Sequence, residues 1–311
     1  MQNKILICGA LRSGTTFTGK CMSFSSDVFY LWEPFMSKFR KEVNHFYPYL
    51  GSSTSSEKRN YYNTLISKTL RLRSLTPRKL FQENPFLESS LTRPNGLISS
   101  YFRHRFAQLR FLVLKHHRNT LLWKDPAASF LSEHLMDTYN FKIVVLVRHP
   151  AAVHYSRKKL GWIFDRNWWE QPDLKADFYG QELERLRSIN DELLFGSLVT
   201  WNTIYTYFHQ LYKTHHQSML IIKHEDLCRD PVGVFTKIFD FSQIPFKDHI
   251  KQKIVEYTSG DAVNAQTDDK SKLSKRDASA LISLWRDKLT DEEISIINQK
   301  SSHLLNAYGY K

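Results

Sequence analysis

A glycine-bearing segment near the start of the printed chain carries residue types suited to binding phosphate: Gly9-Ala-Leu-Arg-Ser-Gly-Thr-Thr-Phe17. It lies between a short apolar run and a stretch with helical periodicity, so we expect a turn from a strand into a helix. Such a turn directs backbone N–H groups and the positive end of the helix at one point, which makes an anion site. Gly14 permits close approach of the backbone, and the hydroxyls of Thr15 and Thr16 can donate to phosphate oxygens. Arg12 adds a positive charge at the mouth of the turn.

The spacing of Gly9 and Gly14 is that of a Walker A loop, with one departure. Thr15 stands where that motif places the lysine that contacts the β- and γ-phosphates of a nucleoside triphosphate. The loop therefore indicates a phosphate site in a protein that does not hydrolyse ATP. For the loop taken alone, an ordinary strand–turn–helix corner capped by a hydroxyl residue is the alternative.

A second candidate element covers residues 141–156. An apolar run ends at Arg148, and Ser156 follows eight residues later in the sequence, about two turns into the next predicted helix. Arg148 would lie at the carboxyl end of its strand, the edge at which open α/β sheets bind ligands. Taken alone, a strand that ends in arginine and a serine on a helix surface are equally compatible with no binding role.

Together, these two elements resemble the nucleotide site of the sulfotransferase family. The stretch CGALRSGTTFTGKCMS resembles the family's 5′-phosphosulfate loop, and arginine at position 12 is the variant of its bacterial and carbohydrate-type branches. The resemblance implies that Arg148 and Ser156 clasp the 3′-phosphate of 3′-phosphoadenosine-5′-phosphosulfate (PAPS). It implies that the 5′-phosphosulfate is held by Arg12, Ser13, Gly14, Thr15, Thr16 and Phe17.

Two later segments extend the resemblance. LIIKHEDLCRDP, at residues 220–231, resembles a late strand and acidic turn with a scaffolding role, in which Asp230 caps the next helix. SKRDASALISLWRDKLTDEE, at residues 274–293, resembles the C-terminal loop that covers the nucleotide. Lys275 and Arg276 are then candidate contacts to the 3′-phosphate, and a solvated basic pair is the alternative.

Sulfuryl transfer to a hydroxyl or amine needs a base for the acceptor proton and cations for the leaving phosphate. It needs no metal, and the sequence has no evident cluster of metal ligands. The favoured base is Glu33, in Tyr30-Leu-Trp-Glu33-Pro34-Phe35, because its apolar neighbours would raise the pKa of a carboxylate. Carbohydrate-type sulfotransferases carry a Glu-Pro pair at a similar position, where the glutamate is the base. Pairing of Glu33 with a nearby arginine, to fix the strand end, is the alternative.

Lys124 lies at the end of another predicted strand and precedes Asp125 and Pro126. The resemblance implies that Lys124 stands beside the sulfuryl group. The branch that acts on phenols and steroids has a histidine just beyond this lysine, whereas here Asp125 occupies that region, which favours Glu33 as the base. Asp125 is the reserve base, and a helix N-cap is its commoner use. His149 is expected too close to the ribose to act as a base.

These side chains require a sheet whose strand ends meet. Apolar runs at residues 5–8, 121–123, 143–147 and 219–222 alternate with helical stretches, so we predict a P-loop-like α/β fold. Its central, mainly parallel sheet is flanked by helices in three layers. One domain over residues 1–311 is preferred, with a helical and loop insertion for the acceptor at about 40–119. Lid-like loops are predicted at about 161–180 and 258–277, and the longest helical stretch at 182–209.

The composition is compatible with this interpretation. The 311 residues are 41% hydrophobic and carry a net charge of +13, which favours anionic partners, including contact with an anionic surface. The cysteines show no metal-ligand spacing, and no apolar run reaches the roughly 20 residues of a membrane span. We therefore expect a protein of the cytoplasm, a PAPS-dependent sulfotransferase acting on a carbohydrate, glycolipid or related metabolite. The alternatives are a P-loop nucleoside or small-molecule kinase and a non-enzymatic polyanion-binding protein, although no nucleic-acid-binding motif is evident.

Overall fold

The computed structural model describes residues 3–36, 42–71, 118–258 and 282–310. At its centre is a five-stranded sheet in which every neighbouring pair of strands is parallel, in the order β2-β3-β1-β4-β5. The strands are β1 (Asn3–Cys8), β2 (Val28–Trp32), β3 (Thr120–Lys124), β4 (Lys142–Val147) and β5 (Met219–Lys223). The four predicted apolar runs coincide with β1, β3, β4 and β5.

Two helical layers bury the two faces of this sheet, as parallel sheets require. Alternate residues of β1 belong to different cores: Leu6 and Cys8 pack on one face, and Ile5 and Ile7 on the other. The first face is covered by α2 (Ser56–Leu70), α3 (Ser132–Tyr139), α4 (Pro150–Lys159), α6 (Glu192–His215) and α10 (Asp291–Ala307). The second face is covered by α1 (Thr15–Met22), α7 (His224–Arg229), α8 (Pro231–Phe241) and α9 (Asp248–Thr258). The predicted three-layer α/β fold is confirmed.

The predicted helix at residues 182–209 is two helices in the structure. Helix α5 (Gly180–Leu186) ends in a turn, and five residues separate it from α6, which begins at Glu192. The Asp191 side chain caps α6 by accepting a hydrogen bond from the Leu194 N–H at 2.7 Å. Aspartate at a helix start satisfies an otherwise unpaired N–H group, so this local bond favours a new helix over a continuous one.

The lid-like loop predicted at about 161–180 contains short helical turns that pack into the first core. They are a 3-10 turn (Arg166–Trp169), a single α-turn (Pro172–Leu174) and a π-helical turn (Lys175–Tyr179). Trp169 is fully buried and stacks on Tyr179, with ring centroids 5.2 Å apart. Gln171 connects this segment to residues 47–49, because its amide accepts from the Tyr49 N–H and donates to the Tyr47 carbonyl.

Of the insertion predicted at about 40–119, the described residues are 42–71, which include α2, and 118–119. The loop predicted at 258–277 lies outside them as well, except for its first residue. All three cysteines are buried thiols. Within the described ranges, no helix combines the length and apolar character needed to cross a membrane.

Candidate active site

The loop between β1 and α1 adopts the conformation expected of an anion cradle. Arg12 and Gly14 both have positive φ, at 75° and 96°. A Cβ atom on Gly14 would lie 2.6 Å from the Cδ2 atom of His224, so only glycine fits this close approach. Helix α1 begins directly after Gly14 without a side-chain cap, which leaves the N–H groups of its first turn available to a ligand.

The side chains of this loop divide between the site and the protein interior. Arg12 is exposed at the mouth, and the Thr16 hydroxyl faces a lysine from β3. Ser13 is fully buried, and its hydroxyl donates to the Ala10 carbonyl within the turn. Thr15 is buried. Phe17 stacks on Tyr257 of α9, with centroids 5.7 Å apart. The Ser13 and Phe17 side chains therefore support the loop from behind.

Lys124 and Glu33 form a buried ion pair beside Thr16. The Lys124 Nζ atom lies 2.5 Å from Glu33 Oε1 and 3.0 Å from Thr16 Oγ1. Lys124 is fully buried and Glu33 is 7% exposed. The Trp32 ring faces the same ammonium, with its centroid 5.1 Å away. The setting of Glu33 therefore combines aromatic packing with a cation, and Lys124 is an ion-pair partner of Glu33 within the described residues.

The sheet register brings this pair together. Lys124 ends β3 opposite Trp32 of β2 and Ile7 of β1. The Glu33 N–H donates to the Lys124 carbonyl at 2.7 Å, and Glu33 then leaves the strand direction with a φ of 43°. Because β3 lies between β1 and β2, both side chains meet the start of α1 at the carboxyl edge of the sheet.

Asp125 has the capping role that its sequence context suggested. It is fully buried and accepts hydrogen bonds from the N–H groups of Phe35 (2.6 Å) and Ala127 (3.0 Å). It also accepts from the Trp123 indole N–H at 3.3 Å. Burial, followed by the charge of Glu33, raises the pKa of Asp125 to about 7. Both of its oxygens are engaged by these donors, so the structure favours Glu33 over Asp125 as the candidate base.

The second predicted element meets the first loop directly. The Arg12 Nε–H donates to the Ser156 hydroxyl at 2.8 Å, and Arg148 donates to the Arg12 carbonyl at 3.1 Å. Arg148 follows β4, and Ser156 lies on α4. The structure thus brings Arg12, Arg148 and Ser156 together at the same sheet edge as Lys124. Lys275 and Arg276 lie outside the described residues, so their contact to the 3′-phosphate stays a prediction.

Three supporting residues had little or no signal in the sequence. His224 packs against Gly14. Glu225, in a segment predicted only as scaffold, accepts from the His149 N–H at 2.9 Å and from the Tyr310 hydroxyl at 2.7 Å. Trp285 stacks on the His149 ring, with centroids 4.7 Å apart. These contacts join the β1–α1 loop and the β4–α4 corner to α7 and the C-terminal residues.

Acidification is expected to destabilise the protein through two of these histidines. Burial, with a smaller effect of Arg286, lowers the pKa of His149 to about 4; burial and Arg148 lower that of His224 to about 3. In the unfolded chain the pKa of a histidine is about 6.5. Below that pH the unfolded chain therefore binds protons at these histidines that the folded chain does not bind. The free energy of unfolding therefore decreases as the pH is lowered, by about 2 kcal/mol per histidine from pH 7 to pH 5.

Urea unfolding of His149→Asn at the two pH values tests this expectation. Asparagine retains the cap that His149 provides to α4 by accepting from the Ala151 N–H. The variant should lose about 2 kcal/mol less than the wild type on acidification. His249→Asn, at an exposed position, should behave as the wild type does. An equal loss in His149→Asn and the wild type would show that His149 is not a source of the acid sensitivity.

A family model described as a sulfotransferase domain matches residues 2–308. Carbohydrate sulfotransferase 1 of Danio rerio is 23% identical over 338 residues, which cover 99% of this chain and 77% of that protein. Carbohydrate sulfotransferase 5 of Mus musculus is also 23% identical and is covered to 80% of its length.

Two solved structures share the fold. The sulfotransferase domain of the Synechococcus PCC 7002 olefin synthase aligns with a TM-score of 0.53 at 20% identity, over 99% of this chain and 94% of that domain. The sulfotransferase domain from the curacin biosynthetic pathway aligns with a TM-score of 0.52 at 15% identity, over 100% of this chain and 99% of that domain. At these identities the likeness concerns the arrangement of helices and strands.

Proposed function

This chain belongs to the sulfotransferase family, and we propose that it transfers the sulfuryl group of PAPS to a hydroxyl of a carbohydrate or glycolipid. The observation that carries the proposal is the convergence of three distant segments on the N-terminus of α1. Lys124 bonds to Thr16 and Glu33, and Arg12 bonds to Ser156. The carbohydrate acceptor is supported by two relatives that are named carbohydrate sulfotransferases.

The residues present suit a nucleotide with phosphate groups at both ends of its ribose. The open turn at Gly14 offers backbone N–H donors, which bind phosphate oxygens without a metal. Arg12 and Lys124 would face the 5′-phosphosulfate, whereas Arg148 and Ser156 would face the 3′-phosphate. A dense set of fixed cations is the environment that two anionic groups require.

Lys124 and Glu33 divide the chemistry between them. Bound PAPS would supply the sulfuryl group for in-line transfer to the acceptor oxygen. An ammonium group has three donors, and among the described residues the hydrogen bonds of Lys124 use two of them, to Glu33 and Thr16. The third can stabilise negative charge that develops on the leaving phosphate oxygen. The Glu33 carboxylate accepts the proton of the acceptor hydroxyl.

Titration with adenosine 3′,5′-bisphosphate, the product nucleotide, tests the nucleotide assignment. We expect the wild type to bind it without added metal. Arg148→Ala and Thr15→Ala should each weaken binding by roughly 1.5–3 kcal/mol, the usual size for a hydrogen bond to a charged group. Isothermal titration calorimetry measures both effects.

Two matched controls accompany this titration. Arg187→Ala and Thr64→Ala change side chains on the surface, far along the chain from the loop, and should leave the affinity unchanged. A wild type that fails to bind the nucleotide would refute the PAPS assignment. Binding that requires Mg²⁺ would instead favour a kinase.

A further inference from the structure

The turn that follows α4, at residues 160–163, presents apolar side chains to solvent; we refer to it as the α4 turn. Among the large hydrophobic residues in the described ranges, Ile163 is the most exposed, at 79%, and Leu160 is 45% exposed. Trp162, between them, is partly exposed. A Cβ atom placed on Gly161 would meet no other group within 4 Å, so the turn projects from the surface. Apolar side chains grouped in this way, rather than scattered singly, mark an interaction surface.

The outward direction of Ile163 is fixed by the residues on either side of it. The Trp162 ring lies over the Arg12 guanidinium, with 5.9 Å between its centroid and the Cζ atom. Phe164 is buried and packs edge-on against Phe195, with ring centroids 5.8 Å apart. Because both neighbours are held against the protein, the Ile163 side chain is directed to solvent by an anchored turn.

Cations flank the α4 turn on both sides. Lys159 is exposed directly before it, and Arg166 is exposed three residues after it. Lys158 pairs with a carboxylate of α10. Asp165 is the one acidic residue in the sequence from 157 to 166, and it is only partly exposed. Peripheral proteins bind anionic lipid with this arrangement, in which apolar side chains enter the interface and lysine or arginine binds the headgroups.

The α4 turn stands at the mouth of the candidate active site. Arg12, on which Trp162 packs, also donates to the Ser156 hydroxyl of α4. Ser156 precedes the turn by about one turn of helix. A surface bound by Ile163 would therefore lie beside the opening of the nucleotide site, and the protein would face that surface in one defined orientation.

We propose that the α4 turn docks the protein on an anionic lipid bilayer. Ile163 and Leu160 enter the interfacial region, and Lys159 and Arg166 bind the headgroups. The choice of partner follows from charge complementarity together with apolar exposure: a bilayer satisfies both, whereas a soluble polyanion would leave Ile163 in water. Docking goes beyond the proposed function and does not depend on it.

Cosedimentation with lipid vesicles tests the docking. We expect the wild type to bind vesicles of equimolar phosphatidylcholine and phosphatidylglycerol, and to bind phosphatidylcholine vesicles much more weakly. Ile163→Ser should lower the partition onto the anionic vesicles about tenfold, the factor expected for the burial of one large aliphatic side chain. Lys159→Ala should lower it about fivefold, the effect of one cation near an anionic surface.

Two matched control variants lie on α9, which covers the other face of the sheet. Val255→Ser removes an exposed apolar side chain, and Lys253→Ala removes an exposed cation. Both should bind the anionic vesicles as the wild type does. All four variants should bind adenosine 3′,5′-bisphosphate in solution with wild-type affinity, since none changes the nucleotide site, and this binding shows that they are folded.

Several outcomes would overturn the docking. A wild type that binds neither kind of vesicle refutes it, and so does equal binding to the neutral and the anionic vesicles. Unchanged binding of Ile163→Ser would place the contact elsewhere on the protein. A wild type that binds dextran sulfate, a soluble polyanion, but no vesicles would assign the basic residues to a polyanion instead. Vesicle binding without nucleotide binding would refute the proposed function and leave the docking in place.

Discussion

Glu33→Gln is expected to bind adenosine 3′,5′-bisphosphate as the wild type does and to lose sulfuryl transfer by ~10²–10⁴-fold, the usual range for a general base. Glutamine retains an oxygen that accepts from Lys124, so the ammonium can stay beside Thr16. The amide cannot take up the acceptor proton, so the loss should fall on kcat. The position of Lys124 and the nucleotide cradle would persist.

Calorimetry measures the affinity of the variant for adenosine 3′,5′-bisphosphate. Release of this nucleotide from PAPS, in the presence of a carbohydrate acceptor, measures the rate of sulfuryl transfer. Glu184→Gln, on the surface, is the control and should retain full activity. Turnover by Glu33→Gln within a few-fold of the wild type would assign the base to another residue. A parallel loss of nucleotide affinity would indicate that Glu33 acts by holding Lys124.

Lys124→Met is expected to reduce both transfer and stability. Transfer should fall by ~10²–10³-fold, because a fixed charge beside the leaving oxygen is removed. The free energy of unfolding should fall by about 3–5 kcal/mol, because the substitution breaks a buried ion pair by removing one of its two charges. Urea unfolding and the release assay follow the two effects separately.

A double variant separates structure from chemistry at this pair. Lys124→Met combined with Glu33→Met removes both charges, so much of the lost stability should return while transfer stays absent. Lys142→Met is the matched control, since Lys142 begins β4 at the opposite edge of the same sheet and bonds to the Phe241 carbonyl. Activity that recovers together with stability would show that Lys124 has only a structural role.

The local features of the nucleotide loop were predictable from sequence. An apolar run before Gly9 predicts β1, and the glycine and threonine residues that follow predict an anion site at a helix start. The same reasoning located β4 and the neighbouring Arg148 and Ser156. These predictions depend on short-range patterns, in which strand burial and helix geometry act within about 10 residues.

The length of α6 and the role of Asp125 needed the structure. An aspartate before a proline is equally suited to capping a helix and to chemistry, and only its three N–H donors distinguish the two. Helical periodicity continues across the Asp191 cap, so the pattern alone predicts one helix where two exist. Competing local bonds decide both cases, and they depend on neighbours that the pattern does not contain.

By itself, the sequence determined the α/β class, the phosphate loop and the residue types of the site. The tertiary structure alone decided that Lys124 bonds to Thr16 and Glu33, which are 108 and 91 positions away in the chain. It also decided that Arg157 turns inward to Thr200 while its neighbour Ser156 meets Arg12. The physical reason is the strand order: β3 lies between β1 and β2 although it follows both in the chain. Contacts across such a crossover depend on register and layer packing, which local patterns do not encode.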